Sequence, residues 1–148
     1  MAPDLEHRIV AFLTQQRIAN VAGCADGQVH NAAVEYVNEG TTLYFVSFPN
    51  TRKLRTIEQN PEVAVVVNGA GLRPSQIQGV QYFGTARVLQ DHEAIEHARA
   101  LFLDRNLLDP ATHWALKRSA IVEVVPNRIE YIDYGERLGH KEAWTPAG

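Results

Sequence analysis

The sequence predicts a mainly β protein, a small antiparallel β-barrel with peripheral helices. Three observations lead there. The first apolar segments are joined by turns too short for a crossover, so they pair antiparallel. Strands do not alternate one for one with helices, which disfavours a doubly wound parallel sheet. The chain has 148 residues, 45% hydrophobic and 21% charged, which suits one domain (residues 1–148) around one core.

The elements follow in order. Pro3-Asp4 is a helix start with Asp4 as N-cap. Leu5, Ile9, Phe12 and Leu13 then recur at helical spacing. Residues 17–24 and 28–37 read as two strands around Ala25-Asp26-Gly27, and Asp-Gly is a hairpin signal. A turn at Asn38-Glu39-Gly40 leads into a strand at 42–48. Asn50 or Thr51 caps a short helix over RKLRTIEQ, which Pro61 ends.

Val63 to Val67 is a continuous apolar run, so that strand is expected to be buried on both faces. Residues 68–76 form a loop. A long strand follows at 77–90, with Gly84 as a bulge or a point of close approach. Asp91 caps a helix whose apolar face is Ile95, Ala98, Leu101 and Phe102. Asp109-Pro110 starts another. Residues 119–125 and 128–133 read as strands around Pro126-Asn127. Residues 134–148 show little pattern. The total is about seven strands and three or four helices, a barrel composition.

Charge and composition exclude several classes. A net charge of −3 argues against nucleic-acid binding by bulk charge. No apolar run approaches the roughly 20 residues of a membrane helix. The N-terminal residues lack the basic and apolar regions of a secretion signal. The single cysteine, Cys24, excludes an internal disulfide and a multi-cysteine zinc site, and a reducing cytoplasm is the expected compartment.

Most catalytic patterns fail. Asn68-Gly-Ala-Gly-Leu72 contains a GxG without the third glycine or a strong following helix, so it reads as a flexible loop. The six histidines show no metal-ligand spacing. Cys24 reads as a small packed residue. Glu35, Glu58 and Glu62 read as solvated carboxylates.

One cluster stands out. The strand at 42–48 ends in Ser47-Phe48-Pro49-Asn50-Thr51-Arg52-Lys53. It delivers two adjacent cations, with nearby hydroxyls, into the first turn of a helix. Cations are unfavourable at that positive end of the helix dipole. A bound anion such as phosphate would relieve the cost. Two solvated surface cations are the other reading, and local chemistry does not separate the two.

With these segments in order, the sequence resembles the pyridoxamine 5′-phosphate oxidase-like, FMN-binding split-barrel superfamily. The resemblance spans nearly the whole chain. It rests on the N-terminal helix, HNAAVEYV, TLYFVSFPNTRKLRTIEQNPEVAVVV, QGVQYFGTARVL and PNRIEYIDYGERLGHKEAW. It implies a six-stranded antiparallel split β-barrel of FMN-binding type, working as a homodimer with flavin at the subunit interface. Arg52 and Lys53 match the positions that hold the flavin phosphate, and Thr51 matches a neighbouring hydroxyl. Val46 and Ser47 would pass along the isoalloxazine and ribityl chain. Asn31, Ala32, Ala33 and Val34 match the strand beside the flavin ring. Gln81, with Gln78 nearby, matches a glutamine reaching the cofactor from the partner subunit. Tyr134 and His140 are substrate-side candidates, or parts of an ordered interface tail.

The chain departs from the oxidase proper. Asn31 stands where that enzyme has arginine, and Tyr36 replaces a substrate-side lysine. The tail lacks the Arg-Leu-His-Asp-Arg block that recognises pyridoxal phosphate. The expected function is therefore an FMN-dependent oxidoreductase acting on another small molecule. The alternatives are a deazaflavin-dependent reductase, with Arg55 and Arg73 as further cations, and a non-catalytic flavin or haem binder. No residue is assigned a catalytic role, and no metal, nucleic acid or membrane is expected as a partner.

Overall fold

The computed structural model describes residues 4–105 and 110–147. The elements run α1 (Leu5–Gln15), β1 (Ile18–Ala25), β2 (Gln28–Glu39), β3 (Thr42–Ser47), α2 (Arg52–Gln59) and β4 (Glu62–Asn68). After a 3-10 turn at Pro74–Gln76 come β5 (Gln78–Val88), α3 (His92–Arg105), α4 (Pro110–Arg118), β6 (Ala120–Asp133) and β7 (Lys141–Trp144). The strand order is β3-β2-β1-β4-β5-β6-β7, and β3 also pairs with β6. Six antiparallel strands therefore close into a barrel, and β7 extends it. β6 makes this possible by length: residues 120–124 pair with β3, and residues 129–132 pair with β7.

Local chemistry explains the joints. The Asp4 side chain accepts from the His7 amide at 2.8 Å and caps α1. Asp26 (φ 52°) and Gly27 (φ 76°) both take left-handed backbone, as the tight β1–β2 hairpin needs. β2 continues through Asn38 and Glu39, so the next turn is confined to Gly40 and Thr41 rather than beginning at Asn38. Asp91 accepts from the Ala94 amide at 3.0 Å at the start of α3. The expected Asp109 cap lies outside the described residues.

Three other expectations need correction. β4 is not buried on both faces in the single chain: Val63, Val65 and Val67 point inward, and Val66 is 37% exposed. Residues 119–125 and 128–133 form one strand, because Pro126-Asn127 is a bulge. Gly84 pairs with Pro126 and Phe83 with Arg128. A Cβ on Gly84 would lie 2.6 Å from the Val125 carbonyl oxygen, so glycine permits the close approach. The tail contains a strand, β7, that pairs on β6.

The core lies inside the barrel, with Ile9, Phe12 and Leu13 of α1 closing one end. The Tyr36 hydroxyl donates to the Leu13 carbonyl at 2.6 Å, and the Tyr82 hydroxyl donates to the Thr41 carbonyl at 2.6 Å. An unmade bond in such a setting costs about 1–3 kcal/mol. Burial pushes both phenol pKa values up. A second cluster lies outside the barrel, where Ala98 and Phe102 of α3 and Leu116 of α4 cover Val37, Tyr44 and Ile121. No helix among the described residues is long and apolar enough to cross a membrane.

Candidate phosphate cradle

The junction between β3 and α2 is rigidly built. Ser47 is 5% exposed, and its hydroxyl lies 3.0 Å from that of Thr51. The Thr51 hydroxyl accepts from the Leu54 amide at 3.3 Å, so Thr51, not Asn50, is the N-cap. Asn50 instead turns the chain with φ 65°, and its carbonyl accepts from Arg55 at 2.5 Å.

α2 then opens on Arg52 and Lys53, with no acidic residue in its first turn. Among the described residues neither cation has an ion-pair partner. Lys53 is half-buried, and desolvation lowers its pKa. A desolvated ammonium beside free helix N–H groups is unfavourable unless an anion is supplied. The donor set fits a phosphate: two cations, a hydroxyl pair and a positive helix end.

α2 sits close to the β1–β2 hairpin. A Cβ on Gly23 would meet Thr56 Cγ2 at 3.2 Å, and Asn60 donates to the Cys24 carbonyl at 2.7 Å. Between helix and hairpin lies a polar groove of about 370 Å³. One wall is Arg52, Arg55, Thr56 and Gln59; the other includes Gln28, Val29 and His30. The first wall was legible as a polar stripe at i, i+3, i+4 and i+7 opposite Leu54 and Ile57. Gln28 and His30 were missed, because only the docking of helix on hairpin brings them there.

The remaining candidates are spread wider. Asn31 and Ala33 point outward from β2, just beyond the groove, with Ala32 half-buried and Val34 facing the core. Val46 packs against the cluster under α3 and α4. Gln81 is half-buried, opposite Val66 and Glu130. The row Ala33, Asn20, Val66, Gln81 crosses three strand spacings, roughly 14 Å, so one chain does not bring Gln81 to β2. Gln78 donates to the Tyr131 hydroxyl at 2.6 Å. The Tyr134 amide donates to Ile77, and the His140 ring contacts Glu142 at 3.1 Å; both belong to the segment between β6 and β7.

Tyr36, read from the sequence as replacing a substrate-side lysine, does not line the groove. It is 1% exposed, inside the barrel, because its position on β2 faces inward. Among the described residues no cluster of three metal-ligating side chains forms.

Residues 5–133 match the family described as pyridoxamine 5′-phosphate oxidase. The chain belongs to that family. Solved structures agree on the fold. An FAD-binding protein from Mesorhizobium loti is 22% identical with a TM-score of 0.67, over 97% of this chain and 95% of that one. A heme binding protein from Mycobacterium smegmatis is 18% identical with a TM-score of 0.77, over 98% of this chain and 59% of that longer one. The heme storage protein HutZ from Vibrio cholerae is 14% identical with a TM-score of 0.70, over 84% of this chain and 91% of that one. Among curated proteins there is no match.

Proposed function

We propose that this family member is an FMN-binding flavoprotein, a cytoplasmic homodimer that works as an oxidoreductase on a small molecule. The observation that carries the reading is the pair Arg52 and Lys53 at the start of α2, without an ion-pair partner among the described residues and with Lys53 desolvated. Family membership and a flavin-binding structural relative support it. In this reading Arg52, Lys53 and Thr51 hold the phosphate. Asn31 to Val34, Val46 and Ser47 border the ring and ribityl chain, and Gln81 approaches from the partner. The flavin supplies the hydride chemistry, and the chain supplies binding, orientation and electrostatics.

The test is FMN titration of an Arg52→Ala/Lys53→Ala variant. Each charge-assisted bond is worth roughly 1.5–3 kcal/mol, so affinity should fall by on the order of 10²–10⁴-fold. Unchanged affinity in a folded variant rejects the cradle.

Two observations favour second readings. Arg55 lines the groove beside Arg52, which suits a deazaflavin with a longer anionic tail. His30 lines it too, which offers a haem an axial ligand, and two structural relatives are haem proteins. The absorption spectrum of the purified protein separates the three: two flavin bands, a sharp Soret band, or no colour with deazaflavin binding.

A further inference from the structure

The end of β3 carries a feature that the flavin reading does not use. Phe48 and Trp114 are 51% and 52% exposed. Their rings meet edge to face, with centroids 5.9 Å apart and planes at 75°. The Arg118 guanidinium lies 4.7 Å from the Trp114 ring centroid, and it is oriented by a 3.2 Å bond to the Trp114 carbonyl. Large aromatic side chains are usually withdrawn from water. Here two of them, one just after β3 and one on α4, are held in one ledge with a cation.

The ledge is continuous with the cradle. Phe48 follows Ser47, whose hydroxyl meets that of Thr51 at 3.0 Å, and Thr51 caps the helix that begins with Arg52 and Lys53. The cationic start of α2 and Phe48, one member of the aromatic pair, thus lie within one short stretch of chain. Bases stack on such platforms without needing a sequence-like code, and arginine adds a cation–π contribution.

We infer that Phe48, Trp114 and Arg118 form a purine-stacking ledge, and that the site accepts an adenosine diphosphate group. Its phosphates lie on Arg52 and Lys53, and its adenine lies on Trp114. Two molecules carry this group: a dinucleotide flavin (FAD), whose own phosphates take the cradle, and a nicotinamide dinucleotide, which takes the cradle in place of a flavin phosphate. The inference rests on the phosphate cradle and does not require that the flavin reading hold.

The probe is ADP, titrated by calorimetry into the full chain and into Trp114→Ala, Trp114→Phe and Arg52→Ala/Lys53→Ala variants. Trp114 is half exposed, so its truncation should leave the fold intact, which circular dichroism checks. A single base stack is worth about 5- to 150-fold in affinity. Trp114→Ala should weaken ADP by that factor, Trp114→Phe should restore most of it, and the double cation variant should abolish binding. FMN affinity should be unchanged by Trp114→Ala. The same variant then assigns the source. A loss confined to FAD places the adenine on a dinucleotide flavin, and a loss confined to NADH places it on a nicotinamide dinucleotide that occupies the cradle instead of a flavin. ADP binding together with no FMN binding supports the ledge and rejects the flavin reading. No ADP binding to the native chain, or equal losses for ADP and FMN in Trp114→Ala, overturns the inference.

Discussion

Arg8 and Glu142 form a two-pronged ion pair, each guanidinium nitrogen 2.8 Å from its own carboxylate oxygen. The pair fastens α1 to β7, elements 134 residues apart in sequence. Arg8 also lies 5.8 Å from the Tyr131 ring centroid, and the His140 ring touches the same carboxylate at 3.1 Å. Hydrogen bonding from Arg8, with a smaller contribution from His140, holds the Glu142 pKa at about 2 against an ordinary 4.5.

That depression fixes a pH dependence. Glu142 binds its proton less readily when folded, so its contribution is complete above about pH 4.5 and is lost as pH falls towards 2. A third of each side chain remains exposed, which limits the pair to about 1 kcal/mol. Glu142→Gln should lower Tm by about 2–4 °C near neutral pH. The difference from the native chain should shrink between pH 4.5 and 2. A constant difference across that range would show that Glu142 acts by packing alone.

Gly84→Ala should destabilise the barrel. The new Cβ would meet the Val125 carbonyl oxygen at 2.6 Å and Tyr82 Cε1 at 3.0 Å. Neither backbone nor a fully buried ring can yield without displacing the β5–β6 bulge. Overpacking of this kind costs about 1–3 kcal/mol, measurable by urea unfolding. A midpoint equal to that of the native chain would mean that the bulge can slide.

Light scattering should give a dimer mass at micromolar concentration. Val34, Tyr44 and Tyr82 are buried within one chain and Val46 packs against the cluster under α3 and α4, so these residues leave no face for a partner to cover. On three neighbouring strands, β4, β5 and β6, the outward apolar residues Val66, Phe83 and Val125 are 37%, 40% and 44% exposed. Phe83→Glu should therefore yield monomer, since an obligate interface above about 2,000 Å² does not tolerate an unpaired charge at its centre. A native monomer would remove the subunit interface from the flavin reading.

Pyridoxine 5′-phosphate should be a poor substrate. A phosphorylated substrate needs a cationic clamp separate from the one on α2. The segment from Tyr134 to Trp144 offers only Arg137 and Lys141, and Lys141 is 3.6 Å from Glu130. Tyr36 adds no donor, since its hydroxyl is buried on Leu13. Production of pyridoxal 5′-phosphate and peroxide by FMN-loaded protein at about 1 s⁻¹ or faster would overturn this expectation.

Local chemistry by itself determined the punctuation of the chain. Asp4 capped α1, Asp26-Gly27 turned the first hairpin, a cap at Asn50 or Thr51 opened α2 on two cations, and Ile95, Ala98, Leu101 and Phe102 marked the packed face of α3. These signals act within a few residues, so the sequence carries them whole. Only the tertiary structure decided what depends on pairing between distant segments. It made Pro126-Asn127 a bulge, because β5 runs straight past with Gly84 opposite. It made residues 141–144 a strand, because β6 offers them a free edge and Arg8 fastens them. It turned Tyr36 into the core, because the strand pleat sets the face of each residue. It set His30 across the groove from Arg52 and Trp114 against Phe48, because such arrangements arise only when separate elements dock.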